Sequence, residues 1–291
     1  MGVAQSRHVD PGVRVRSLEP EDLPAAAALA AAAFGVELGR PADRARWLER
    51  VGHPYDTDPD GCFVAEADGR VIGVAEVLSR DAMWILSLLA VDPEVQSAGA
   101  GRALMDAALR VGDADGPGLI VSSDDSRALR LYALAGFRLL PTFQAEGSVS
   151  RQAIPASAAR VCDDTEPDFE ALAVLSRAVR GAEHTPDLRY ALRRGGRLLT
   201  LGDEGFAIAM PGQGVWLLVA REAQAGSALL WRALEVAGDA DGRLVRWILG
   251  GQDWAVDVVC RAGLRLSAYG GLGVRGEVGP LHAFLPSASF G

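Results

Sequence analysis

The chain has 291 residues, enough for one large or two ordinary domains, and its 49% hydrophobic and 23% charged composition is that of a folded protein rather than a disordered one. A net charge of −9 argues against non-specific nucleic-acid binding, which needs a basic surface, and fits a cationic substrate. Cys62, Cys162 and Cys260 fit neither a metal nor a disulfide pattern and lie in or near apolar segments, which predicts buried free thiols. The histidines His8, His53, His184 and His282 are scattered, so no metal site is expected. The N-terminus lacks the apolar core of a signal peptide and Ala25–Ala33 is too short to span a bilayer, so a cytoplasmic protein without membrane or nucleic-acid partners is expected.

In chain order, Val13–Leu18 alternates as a strand. Pro20-Glu21-Asp22 opens a helix through Phe34, and a second helix covers Ala42–Val51. Pro54–Asp60 reads as a loop rich in aspartate. Cys62–Ala67 and Val71–Leu78 read as strands joined by the hairpin turn Asp68-Gly69. Met83–Val91 is the next strand, ended by Asp92-Pro93. Gln96-Ser97-Ala98-Gly99-Ala100-Gly101 then leads into a helix starting at Arg102. A strand at Gly118–Ser122 and a helix running from a cap at Asp125 or Asp124 to Gly136 come next, with Gly136 placed for a left-handed end. Phe137–Leu140 and Gln144–Ser150 close the set.

Two of these segments carry chemistry. A glycine-rich turn feeding a helix presents unpaired N–H groups at the positive end of the helix dipole, which suits a phosphate or pyrophosphate. The turn is neither G-x-G-x-x-G nor G-K-[ST]. With Gln96, Gly99 and Gly101 it resembles the Q/R-x-x-G-x-G/A signature of the GNAT family of N-acetyltransferases. The second signature of that family, N-x-x-A-x-x-L-Y-x-x-x-G-F, is similar to 125–137 at Ala128, Leu131, Tyr132, Gly136 and Phe137, with Asp125 in place of asparagine.

That resemblance implies an α/β (α+β) fold, a mixed central sheet flanked by helices. It also implies direct transfer of an acetyl group from acetyl-CoA to an amine. The cofactor would be held by Leu89, Ala90, Val91, Gln96, Ser97, Ala98, Gly99, Ala100, Gly101, Arg102, Asp125 and Tyr132, with backbone groups of Leu89 and Val91 meeting the pantetheine arm. Tyr132 would protonate the leaving thiolate as general acid. Many relatives carry a glutamate on the strand before the turn; here Met83–Leu89 has no carboxylate. Ser87, holding a water, and Glu76 on the preceding strand are the candidates for the base, and Glu76 is expected to face solvent. A small-molecule amine acceptor is expected, and the alternative is a CoA-binding or interaction protein without turnover.

Residues 151–159 read as a linker, after which the pattern repeats. Arg160–Asp163 is a strand, helices cover 168–180 and 186–194, and strands lie near 197–202, 205–211 and 214–220. A helix at 223–237, a strand at 243–249, a helix at 252–262 and a strand at 264–274 complete it. Ala262-Gly263-Leu264-Arg265-Leu266 echoes Ala135-Gly136-Phe137-Arg138-Leu139, 127 residues on. The chain therefore reads as tandem folds of one family, 13–150 catalytic and 160–291 degenerate. The second turn, Arg221–Ala228, is shorter, and Val259 stands at the place of Tyr132. Closing the acceptor pocket or forming a homodimer are the roles open to this half. The 276–291 tail is too apolar to hang free and is expected to pack on the body.

Overall fold

The computed structural model describes residues 12–95, 99–113, 115–238 and 243–291. These fall into two compact units, Met1–Ser79 with Trp84–Ala114, and Arg80–Met83 with Asp115–Gly291.

The first unit holds β1 (Arg14–Ser17), α1 (Leu23–Ala33), α2 (Pro41–Thr57), β2 (Cys62–Ala67), β3 (Arg70–Arg80), β4 (Met83–Val91) and α3 (Ala100–Ala108), with strand order β1-β2-β3-β4. Asp68 and Gly69 both adopt positive φ, which makes the two-residue β2–β3 hairpin as expected. One sheet face packs on α1 and α2 through Val64, Val74, Leu88 and Ala90. The other packs on α3 through Ala65, Ile72, Ala75 and Leu104. Helix α2 runs on through Pro54 to Thr57, where a loop was expected. Proline removes one helical hydrogen bond, but His53 and Pro54 are buried, and that packing holds the last turn.

The second unit holds β5 (Gly118–Ser122), α4 (Ser126–Leu134), β6 (Arg138–Glu146), β7 (Cys162–Asp163), α5 (Phe169–Arg180), α6 (Thr185–Arg193), β8 (Arg197–Leu201), β9 (Gly205–Met210), β10 (Gly214–Ala220), α7 (Ala223–Ala237), β11 (Arg243–Leu249), α8 (Asp253–Arg261), β12 (Arg265–Arg275) and β13 (Phe284–Leu285). Its strands have the orders β5-β12-β6-β11 and β13-β10-β9-β8-β7. The two closing strands expected at 137–150 are one strand, β6. Pro141 lies in its middle with its carbonyl accepting from Gly250 N at 3.3 Å, so its missing N–H faces the side on which β11 has already ended at Leu249.

Strands from the two sequence halves interleave. The closing strand β6 of the first half lies between β11 and β12 of the second, and β12 lies between β5 and β6. Leu139 pairs with Gly273 and Ala145 with Leu266. At the 127-residue offset Leu139 corresponds to Leu266 and Glu146 to Gly273, so equivalent positions trade places across the pair to within one residue, the step introduced by the register slip between Ala268 and Gly271. The compact units thus divide the chain elsewhere than at 151–159. That stretch forms short 3-10 turns, and its Ala158 is buried in the second unit's core. Of the thiols only Cys62 is buried; Cys162 on the edge strand β7 and Cys260 on the outer face of α8 are exposed.

Candidate active site

The turn before α3 begins with Gly99, in the left-handed region at φ 86°, acting as the helix N-cap. Among the described residues no side chain caps this helix, and N–H groups at such a helix start suit an anion. Among the described residues a Cβ at Gly101 would meet only Val91 Cγ2, at 3.5 Å, an ordinary contact, so their packing does not itself demand glycine there. Ala100 is buried under the helix, and Arg102 is exposed with Asp106 at 3.9 Å. Gln96, Ser97 and Ala98 lie outside the described residues.

Strand β4 feeds this turn. Leu89 and Val91 pack toward α3, Ala90 toward α1 and α2. Trp84 donates its indole N–H to Ala108 O at the end of α3, 2.9 Å away. Trp84 thus lies on the α3 side, whereas Leu88 and Ala90, an even number of residues on, face the opposite side. The alternation slips by one in mid-strand, as at a bulge.

Glu76 on β3 is fully buried, not solvent-facing as the sequence suggested. It projects to the α2 side, opposite Cys62 in register. Arg50, on α2, brings its Nη1 to 3.5 Å from Glu76 Oε2 and donates from Nη2 to Ser87 O at 2.6 Å. Glu76, Ser87 and Arg50 therefore form one cluster. Neither Glu76 oxygen nor Arg50 Nη1 meets a hydrogen-bond partner among the described residues. Burial pushes the Glu76 carboxyl up to about 8, against the pull of Arg50. It raises the Cys62 thiol as well, helped by the charge of Glu76. Arg50 was not legible from the sequence, because nothing local marks an arginine on α2 as the partner of a strand residue.

Asp125 and Tyr132 belong to the second unit. Asp125 caps α4, accepting from Arg127 N at 2.9 Å, and Arg127 also pairs with it and holds its carboxyl below the usual range. Gly136, at φ 90°, ends the helix as expected. Tyr132 is 6% exposed. Burial, then the charge of Asp125, raise its phenol, which stays protonated at neutral pH.

Residues 25–137 match the model of the acetyltransferase (GNAT) family. This segment is a GNAT-family domain. Mycothiol acetyltransferase of Streptomyces bingchenggensis is 34% identical over 140 residues, 45% of this chain and 44% of that one. The Kineococcus radiotolerans protein of that name is 36% identical over 134 residues, 43% of each. The alignments thus span less than half of these relatives. Among solved structures, a Pyrococcus horikoshii protein assigned to the acetyltransferases covers both chains fully at TM-score 0.79 and 16% identity. A GCN5-related N-acetyltransferase of Kribbella flavida reaches 0.60 over 92% of this chain and 72% of its own, also at 16% identity. These likenesses establish the GNAT fold, mixed sheets flanked by helices.

Proposed function

We propose that the chain transfers the acetyl group of acetyl-CoA directly to an amine of a small-molecule acceptor, and that residues 13–150 carry the chemistry. The observation that carries this reading is the uncapped start of α3 at Gly99, with the open approach over Gly101, inside a segment that matches the GNAT family. The residues fit the cofactor. The N–H groups of 99–102 suit its pyrophosphate, and the sequence motif adds Gln96, Ser97, Ala98 and the Arg102 guanidinium to the residues that would bind it. Backbone groups of Leu89, Ala90 and Val91 hold the pantetheine arm, and Asp125 orients the second signature helix. When bound, acetyl-CoA supplies the activated acyl group. The carrier name of the matched relatives, mycothiol, supports a small-molecule acceptor rather than a protein.

Three side chains then move protons. Tyr132, a buried phenol that stays protonated at neutral pH, donates to the departing thiolate. Glu76 takes the proton of the acceptor amine, its carboxyl pushed up to about 8 and so matched to that task near neutral pH. Ser87 holds a water between amine and carboxylate. The Leu89 N–H would be the donor to the charge that builds on the carbonyl oxygen. Residues 160–291, joined through 151–159, are read as a second copy without this chemistry, since Val259 in place of Tyr132 has no proton to give.

The test is release of free thiol from acetyl-CoA across a panel of small amines. Turnover with at least one amine is expected. Tyr132→Phe is expected to lower kcat about 10- to 1000-fold with acetyl-CoA affinity kept, the range of one acid–base group. Unchanged kcat would remove Tyr132 from the mechanism, and no turnover with any amine would favour a binding protein.

A further inference from the structure

In the second half β10, α7, β11 and α8 succeed one another as β4, α3, β5 and α4 do in the first. Matching the ends of the equivalent strands, Val91 to Ala220, sets Leu218, Val219 and Ala220 in the places of Leu89, Ala90 and Val91. These are the backbone positions assigned above to the pantetheine arm.

In β10 these positions are already taken. The segment after β12 returns and pairs antiparallel with them, Leu285 opposite Leu218 and Phe284 opposite Val219. The Ala220 N–H donates to Ala283 O at 2.9 Å. Gln252, buried at the start of α8, clamps this segment. Its Nε2 donates to Leu281 O at 2.9 Å and Phe284 O at 2.8 Å, and its Oε1 accepts from Leu249 N at 2.9 Å. Leu281, Ala283, Phe284 and Leu285 are all buried.

The helix start is closed too. The Trp254 ring lies over Gly226 in the first turn of α7, within 3.1 Å of where a Cβ would stand, and its indole N–H donates to His282 O at 2.9 Å. Glu222 stands at the N-cap of α7, exposed and without a side-chain bond to the helix N–H groups, and its charge disfavours a second anion nearby.

We propose that residues 281–285 act as an internal stand-in for the pantetheine arm, a strap that fills the cofactor cleft of the second half. The chain then binds one acetyl-CoA, in its first half. The count rests on the acetyltransferase reading above; the strap rests on its own contacts. The second copy keeps the fold and satisfies its open strand edge with its own chain rather than with a ligand.

The test is hydrogen–deuterium exchange on the full chain with and without saturating acetyl-CoA, read over 86–95, 99–106, 215–228 and 280–287. Slow exchange at 218–220 is expected in the free chain, unchanged by acetyl-CoA, while 86–95 and 99–106 slow down. Gln252→Ala is expected to speed exchange at Ala220 and Leu285 at least tenfold, with 86–95 unaffected. Phe284→Leu, which loosens the strap without emptying its site, gives the same reading if Gln252→Ala folds poorly. New protection over 215–228 on adding acetyl-CoA overturns the proposal, because the second cleft then takes the cofactor. Slow exchange at Ala220 that neither variant changes also overturns it. Absence of any change over 86–106 overturns the count by removing the acetyltransferase reading, and exchange at Ala220 in the free chain separates that failure from failure of the strap.

Discussion

Glu76 is a carboxyl held away from water, with Arg50 nearby and no hydrogen bond to either oxygen among the described residues. Burial raises its proton affinity to about 8, so the folded chain holds a proton that the unfolded chain releases above the ordinary value of 4.5. The folded state therefore binds more protons between these values, and stability falls as pH rises through that window, by on the order of 5 kcal/mol in total. Glu76→Gln, which cannot ionise, is expected to lose this pH dependence. Its stability relative to the parent should rise between about pH 5 and pH 8.5 in denaturant titrations, and a constant difference would contradict the burial account. The same substitution should remove the rising limb of kcat/KM that is half-maximal near pH 8 in the parent. The sequence exposed Glu76 as a candidate but not its surroundings. Burial depends on α2 lying over that face of the sheet, which no local pattern states.

Irregular backbone shapes the strands of the second unit. Gly270 adopts φ 60° where the β12 register slips against β6, and a Cβ there would fall 2.0 Å from Ser122 O. Trp247 on β11, also at positive φ, donates its indole N–H to that same oxygen at 2.8 Å. Two bulged strands thus converge on one carbonyl. Gly270→Ala combines a left-handed alanine with a clash against backbone, and is expected to cost about 2–4 kcal/mol in chemical denaturation. Parent-like stability would show that the bulge can relax. The regular elements were legible: β4, β5, α7 and β11 have the bounds that apolar runs and glycine punctuation imply. Pro54 and Pro141 misled because the sequence shows the missing N–H but not the packing or strand end that accommodates it.

Across the whole chain, the repeat was visible in the sequence, and the exchange of closing strands was not. An echo such as Ala262-Gly263-Leu264-Arg265-Leu266 says that two copies exist, yet β-strand partners are set by long-range pairing that either copy could satisfy. The apolar tail likewise announced that it packs, without saying that it lies along β10. The two halves are therefore unequal in what they offer a cofactor. The first has an uncapped, glycine-opened helix start, and the second has its equivalent strand edge covered by its own chain. Calorimetric titration of the full chain with acetyl-CoA tests that asymmetry most directly. The account predicts one site per chain, lost when Gly101 is replaced by a bulky residue. Two sites, or one site that survives that replacement, would contradict it.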